Sequence, residues 1–300
     1  MQASWRTKAL KAMVARMPEH GLNHEKRRLA AKGLVALTTC ARPRFVRAYL
    51  PALIDCTREC DDLDLVVAID GLSVPGNREA QDLALAMGVD CVVADEAEGV
   101  GISKNRVLSL LGGYDYYFFI EDDVEVLSAA LFTGHIEAHL KTGIHHFSLH
   151  EPERLLQETG STRLDSGELI RHAKYGSAQV NFFSRQALLQ VGGWYAYFGR
   201  IRRGGHTEHS YRIYRANLCP EPFNFIAHLA VLCRWHNPPA VISSTGLPRA
   251  SNRLFEVEND LIAEHLTYWP FSALHAGRLL QAKRAWGSHA GESVYAHDDL

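Results

Sequence analysis

The chain has 300 residues, 47% of them hydrophobic and 22% charged, with a formal net charge of −2. This is the composition of an ordinary globular protein, long enough for one large domain or two small ones. The near-neutral charge excludes a protein that coats nucleic acid, and the lack of any apolar run of about 18 residues excludes a membrane-spanning helix.

Residues 1–17 carry Trp5, Ala9, Leu10, Met13, Val14 and Met17 at spacings of three and four, with Arg6, Lys8, Lys11 and Arg16 between them. That period predicts an amphipathic helix, ended by Pro18 and Gly21. Such a helix packs on its own domain or lies against a partner or a membrane surface. Residues 24–32 form a basic approach to a first strand at 33–39, GLVALTT. A helix over 45–60 follows, then a second strand at 63–70 ending in Asp70, with Gly71 turning the chain. Residues 77–88 read as helix and 90–94 as a short strand. Ser103 is an N-cap candidate for a helix over 104–111, stopped by Gly112 and Gly113.

The next stretch, YDYYFFIEDDVEVL at 114–127, runs six strand-forming residues into Glu121, Asp122 and Asp123. An apolar run this rich in aromatics reads as a strand buried on both faces. Three carboxylates cannot stay unpaired in such a core, so the strand ends there and presents them to something positive. Four strands alternating with three helices predict a parallel α/β sheet, and ligands bind at the carboxyl ends of such strands.

Beyond 128 the expectation is helix over 129–142, strand over 145–150, a polar loop or excursion over 151–172, strand over 178–184 and helix over 185–191. Residues 199–205 are basic and glycine-rich, and 208–215 read as helix. Residues 228–235 are apolar and are broken by Pro238 and Pro239, and two closing helices are expected within 261–286. Six cysteines, Cys40, Cys56, Cys60, Cys91, Cys219 and Cys233, lack zinc-site spacing and read as reduced thiols of a cytoplasmic protein. No continuous apolar signal core stands at residue 1.

Two nucleotide-binding signatures fail. The G-x-G-x-x-G expected after the first strand is replaced by TTCARP, and no G-x-x-x-x-G-K-[ST] occurs. The glycine-rich basic loop of a sugar nucleotidyltransferase is also absent. What remains is a set of strand ends offering Thr38, Thr39, Asp70 and the acidic triple, faced by Lys104 and Asn105 in the first turn of a helix. The acids suit a divalent cation and a ribose, and the helix start suits a phosphate. Each group also has a plainer reading: a solvated acidic turn, an Asx-turn at Asp70 and a solvated lysine.

Taken together, LVALTTCARP (34–43), VVAIDG (66–71), GVGISKNRVLSLL (99–111), YYFFIEDDVEVL (116–127) and the segment over 191–217 resemble a family 2 glycosyltransferase of the GT-A fold. The resemblance implies a Rossmann-like, mostly parallel sheet flanked by helices over 33–245. Residues 33–127 would be the nucleotide-binding half and 128–245 the acceptor half, with helical extensions over 1–32 and 246–300. It implies an inverting, Mn2+- or Mg2+-dependent transfer from a nucleotide-diphospho-sugar, UDP-sugar first and GDP-sugar next, to a hydroxyl of a polysaccharide or glycoconjugate. Carried over, Thr38, Thr39, Arg42 and Asp70 line the nucleotide pocket, with Lys104 and Asn105 beside the ribose and diphosphate. Glu121 or Asp122 sits near the ribose and Asp123 on the metal. Here the motif reads Glu-Asp-Asp where the family has Asp-x-Asp. Glu208 takes the part of general base, Trp194 stacks under a sugar or packs in the core, and His236, before His209, completes the metal shell. Residues 200–203 would fold over the diphosphate or form a solvated loop. The Q-x-x-R-W motif of processive membrane synthases is incomplete, because Val231 stands three residues before Arg234-Trp235. A cytoplasmic single-addition enzyme is therefore expected, with peripheral membrane contact confined to the N-terminal helix and nucleic acid not a partner. A nucleotide-sugar-binding protein without turnover and a metal-dependent phosphohydrolase are the alternatives.

Overall fold

Strand β1 (Gly33–Thr39) runs between β2 (Leu63–Ile69) and β4 (Tyr116–Glu121), parallel to both. Every residue of β1 is buried, as its apolar sequence requires for a strand covered on both faces. The register aligns Thr38 with Glu121 and Thr39 with Ile69, so three strands end at one level. A computed structural model describes residues 32–110, 113–152, 156–177, 179–195, 198 and 205–236. The helices expected at 1–17 and within 261–286, and the basic run 200–203, lie outside the described residues.

The six-stranded sheet has the order β3-β2-β1-β4-β9-β6, with β3 at Asp90–Val93, β6 at His146–Leu149 and β9 at Val180–Ser184. β3, β2, β1 and β4 are parallel, while β9 is antiparallel to β4 and to β6. Tyr116–Ile120 is buried throughout because β4 has a partner on each side, β1 and β9. Phe118 and Phe119 are fully buried, Phe118 against Phe132 and Phe182 and Phe119 against Phe183 and Trp194.

Helix α1 (Pro43–Arg58) opens on a proline, whose missing N–H costs nothing in a first turn, and buries Val46, Leu50, Leu53 and Ile54. α2 (Asn77–Ala86) packs beside it, and α3 (Val100–Leu110) packs against β1, β2 and β3. α4 (Ala130–Thr142) ends on Gly143 at φ +70. α5 (Arg185–Val191) is capped by Ser184, whose hydroxyl accepts from the Ala187 N–H. α6 (Gly205–Arg215) is the last α-helix among the described residues, and a 3-10 helix follows at Ala227–Leu232.

The segment over 151–172, expected as loop, forms a hairpin of β7 (Leu156–Arg163) and β8 (Leu169–Tyr175), joined by β10 (Phe223–Ile226) in a second sheet. β7 is LQETGSTR and exposed almost throughout, so it carries no buried face to alternate with a polar one. Short β5 (Val124–Val126) pairs with β11 (Cys233–Trp235), which returns the chain to the acidic turn. No described helix is long and apolar enough to cross a membrane.

Candidate active site

The carboxyl ends of β1, β2 and β4 converge on one corner of the sheet. Asp122, wholly buried, lies just beyond the last residue of β4. Thr39 Oγ1 donates to Asp122 Oδ2 at 2.5 Å, and the Arg42 guanidinium stands 2.6 Å from Asp122 Oδ1 and 3.4 Å from Asp123 Oδ2. Thr38 Oγ1 instead donates to the Ile120 carbonyl at 3.2 Å, tying β1 to β4. Arg42 thus serves two of the three acids from the loop between β1 and α1.

The three carboxyls have separate electrostatic fates. Burial pushes Asp122 up to about 7, with the charges of Asp123 and Glu121 adding to it against Arg42 and Thr39. Burial also raises Asp123, Glu121 repelling its charge while Arg42 and a hydrogen bond from Gln179 oppose the rise. Burial would raise Glu121 as well, but His206, Lys104 and Arg42 outweigh it and hold this carboxyl at about 2. His206, in the first turn of α6, donates from Nε2 to Glu121 Oε1 at 3.2 Å, each side chain being 26% exposed. Spacing alone did not single out His206; its only sequence signal is its place at the helix start after the basic, glycine-rich run.

Lys104 on α3 is the unusual cation. It is 0% exposed, and its Nζ has no hydrogen-bond partner among the described residues. The ammonium lies 5.8 Å from the Phe119 ring centroid and 5.4 Å from that of Trp194. Burial lowers its pKa to about 8, with the Glu121 charge resisting. A buried ammonium without a hydrogen bond is costly in the free protein and is the group an incoming anion would satisfy.

The other expected contacts fall into place unevenly. Both oxygens of Asp70 accept backbone N–H bonds, from Glu98 at 2.9 Å and Gly99 at 2.8 Å, so its carboxylate shapes the loop leading into α3. Asn105 brackets Trp194: its Nδ2 donates to the Trp194 carbonyl at 2.7 Å and its Oδ1 accepts the Trp194 N–H at 2.8 Å. Trp194 is 1% exposed, with its ring edge-on to Phe119 and Phe183. It is part of the core beneath Lys104 rather than an open platform for a sugar. Glu208 is also 1% exposed and lies against Arg212, one helical turn later. The His209 Nε2 donates to the Gly192 carbonyl at 2.9 Å. The His236 N–H donates to the Asp123 carbonyl at 2.9 Å, but its ring stacks on Tyr49 and its Nε2 donates to Glu125 at 3.0 Å. The ring is therefore engaged away from the Asp123 carboxylate.

A divalent cation fits the acids by their chemistry. Asp123 Oδ1 is buried without a hydrogen-bond partner among the described residues, beside Asp122 and Glu121, and the Glu121 charge raises both aspartates. Among the described residues no three His, Cys, Asp or Glu side chains are disposed to hold a metal. Such a corner suits a hard cation that takes one or two carboxylates and draws its other ligands from water and substrate phosphate.

No protein-family model and no curated protein matches the chain. Among solved structures it is similar to a mannosyltransferase from Pyrobaculum calidifontis in complex with GDP-Man and Mn2+. That likeness has a TM-score of 0.53 and 14% identity, over 95% of this chain and 82% of that one. The fold is GT-A. A glucosyl-3-phosphoglycerate synthase from Mycobacterium tuberculosis, in complex with Mn2+, UDP and phosphoglyceric acid, matches 70% of this GT-A chain and 72% of its own, at 14% identity and a TM-score of 0.45. TarS from S. aureus matches 61% of this chain and 34% of its own, at 10% identity and a TM-score of 0.44. At 14% identity the likeness to the mannosyltransferase is one of fold.

Proposed function

We propose that this GT-A chain is a metal-dependent glycosyltransferase that takes a sugar from a nucleotide-diphospho-sugar and passes it, with inversion, to a hydroxyl of a saccharide or glycoconjugate. The observation that carries this reading is the buried Lys104 ammonium, without a hydrogen-bond partner, at the strand ends that hold Glu121, Asp122 and Asp123. Cation and anion groups separated in this way match the two needs of a metal-bound diphosphate.

Asp123, with its free Oδ1, and Asp122 are the residues that would hold Mn2+ or Mg2+. When bound, the cation supplies charge that offsets the negative charge on the departing diphosphate. Lys104 would meet the diphosphate in a water-poor setting where its charge acts strongly. Arg42 orients Asp122 and Asp123, and Asp70 holds the Glu98 and Gly99 amides in the loop before α3. In the transfer, the acceptor oxygen forms a bond to the anomeric carbon as the bond to the diphosphate oxygen breaks, and the hydroxyl proton passes to a base. The surroundings of Glu208 do not support it in that part, since its carboxylate faces Arg212. UDP-sugars remain the first donors to try. GDP-sugars stand beside them, because the Pyrobaculum mannosyltransferase was solved with GDP-Man and Mn2+.

The test is a thermal-shift panel of UDP-, GDP-, CMP- and dTDP-sugars with and without Mn2+, followed by donor hydrolysis. One donor class should raise the melting temperature only with Mn2+, and Asp123→Ala should remove that increment. Binding without hydrolysis or transfer would leave a nucleotide-sugar-binding protein. Release of phosphate from simple phosphoesters without a sugar donor would make it a phosphohydrolase.

A further inference from the structure

Among the described residues, side chains from two helices hold the turn after α5. Arg212 Nη1 donates to the Val191 carbonyl at 2.6 Å, and Nη2 donates to the Gly193 carbonyl. His209 Nε2 donates to the Gly192 carbonyl, and Asn105 brackets the Trp194 backbone from α3. Four consecutive residues, Val191–Trp194, are therefore gripped from two helices. The last of them carries the ring on which Lys104 rests.

This grip needs a charge that is otherwise hard to place. The Arg212 guanidinium is 1% exposed, and a buried cation requires a partner. Glu208 supplies it: one carboxylate oxygen meets Arg212 Nε and the other meets Nη2 at 3.0 Å. A general base must come within hydrogen-bond reach of the acceptor hydroxyl. A carboxylate held by a guanidinium fork, one oxygen on Arg212 Nε and the other on Nη2, is built for a different task.

We infer that Glu208 is a positioning residue: through Arg212 it fixes the Gly192-Gly193-Trp194 turn, and through Trp194 it sets Lys104 over the acidic corner. Its link to activity rests on the transferase reading, but its link to Trp194 does not. Loss of the Glu208 charge removes this ion pair of Arg212, the turn loosens, and the Trp194 ring shifts under the lysine. The acceptor proton is then taken by a group other than Glu208.

The test uses the full chain with Glu208→Gln, which keeps the side-chain shape and removes its charge, and Arg212→Lys, which keeps charge and removes the fork. Without any donor, the emission attributable to Trp194 (the difference from Trp194→Phe) should shift to the red in both variants. An unmoved spectrum overturns the inference, and it does so even if the protein binds no nucleotide sugar at all. With Mn2+ and donor, both variants should weaken binding by a similar factor of about ten, the worth of one charge-assisted contact. The double variant should be no worse than either single one, and the acid limb of the kcat/KM pH profile should stay in place. A fall in kcat of ~10²–10⁴ in Glu208→Gln, with donor affinity unchanged and Arg212→Lys unaffected, would make Glu208 the base and overturn the proposal. If Glu208→Gln does not fold, Arg212→Lys decides by the same emission and binding measurements.

Discussion

Lys104→Met removes the charge whose burial defines the candidate site while keeping a long apolar stem under it. Burial lowers the lysine from 10.5 to about 8, which is roughly 3 kcal/mol of unfavourable interaction in the charged form. The folded value lies below the unfolded one. The contribution of Lys104 to stability is therefore fullest above pH 10.5 and is lost as pH falls through about 8. At pH 7 the free protein bears the whole cost, so the variant should be more stable than the parent. Glu121 loses one of its cationic neighbours in the exchange, but Arg42 and the hydrogen bond from His206 remain. A net gain of about 1–3 kcal/mol is expected, which for a domain of this size is a rise in melting temperature of roughly 3–10 °C. The gain should shrink as pH is raised from 7 toward 10. Nucleotide-sugar affinity should move the opposite way and fall at least about tenfold. Melts of both proteins at pH 7 and 9.5, with and without donor and Mn2+, give all four numbers. A variant that is less stable than the parent at pH 7, or one that binds the donor unchanged, would refute the reasoning.

Gly71 stands at φ +85 directly after Asp70, and an added Cβ would run into the backbone of Glu96 and Ala97. Gly71→Ala should cost about 2 kcal/mol or more in urea unfolding and weaken donor binding, since it displaces the loop whose amides Asp70 holds. His135 and His146 are buried among aromatic rings and held at about 4, below the usual 6.5. Their contribution is complete above pH 6.5 and is lost as pH falls through about 4, at roughly 3 kcal/mol each. Far-UV circular dichroism should show acid unfolding between those values, and His135→Phe should move the midpoint lower; a flat signal down to pH 4 would contradict this.

The parts of the fold that were legible in the sequence share one physical property. β1, β4 and β9 are buried on both faces, as is β2 from Val66 on, so their apolar runs stand out, and α1 buries Val46, Leu50, Leu53 and Ile54 at helical spacing. The β7–β8 hairpin did not stand out because β7 is polar on both faces. The pairing of β5 with β11 joins residues over a hundred positions apart, and three-residue strands give no local signal. At the site, the acids were visible because three carboxylates closing a buried strand are unusual, and Lys104 because a helix start suits a phosphate; its burial was not visible. Whether Asp70, Asn105, Trp194 and Glu208 face a ligand or the protein was not visible, because each depends on a partner distant in the chain or on burial: Gly99, Trp194, Phe119 and Arg212. His206 was missed for the same reason, its partner being Glu121 on another element.

The central claim concerns where a metal-bound diphosphate sits, and the most direct measurement is anomalous diffraction from crystals grown with Mn2+ and a nucleoside diphosphate. The account predicts a manganese peak coordinated by Asp123, with a diphosphate oxygen hydrogen-bonded to Lys104 Nζ. A manganese or a diphosphate bound away from the ends of β1 and β4 would contradict it.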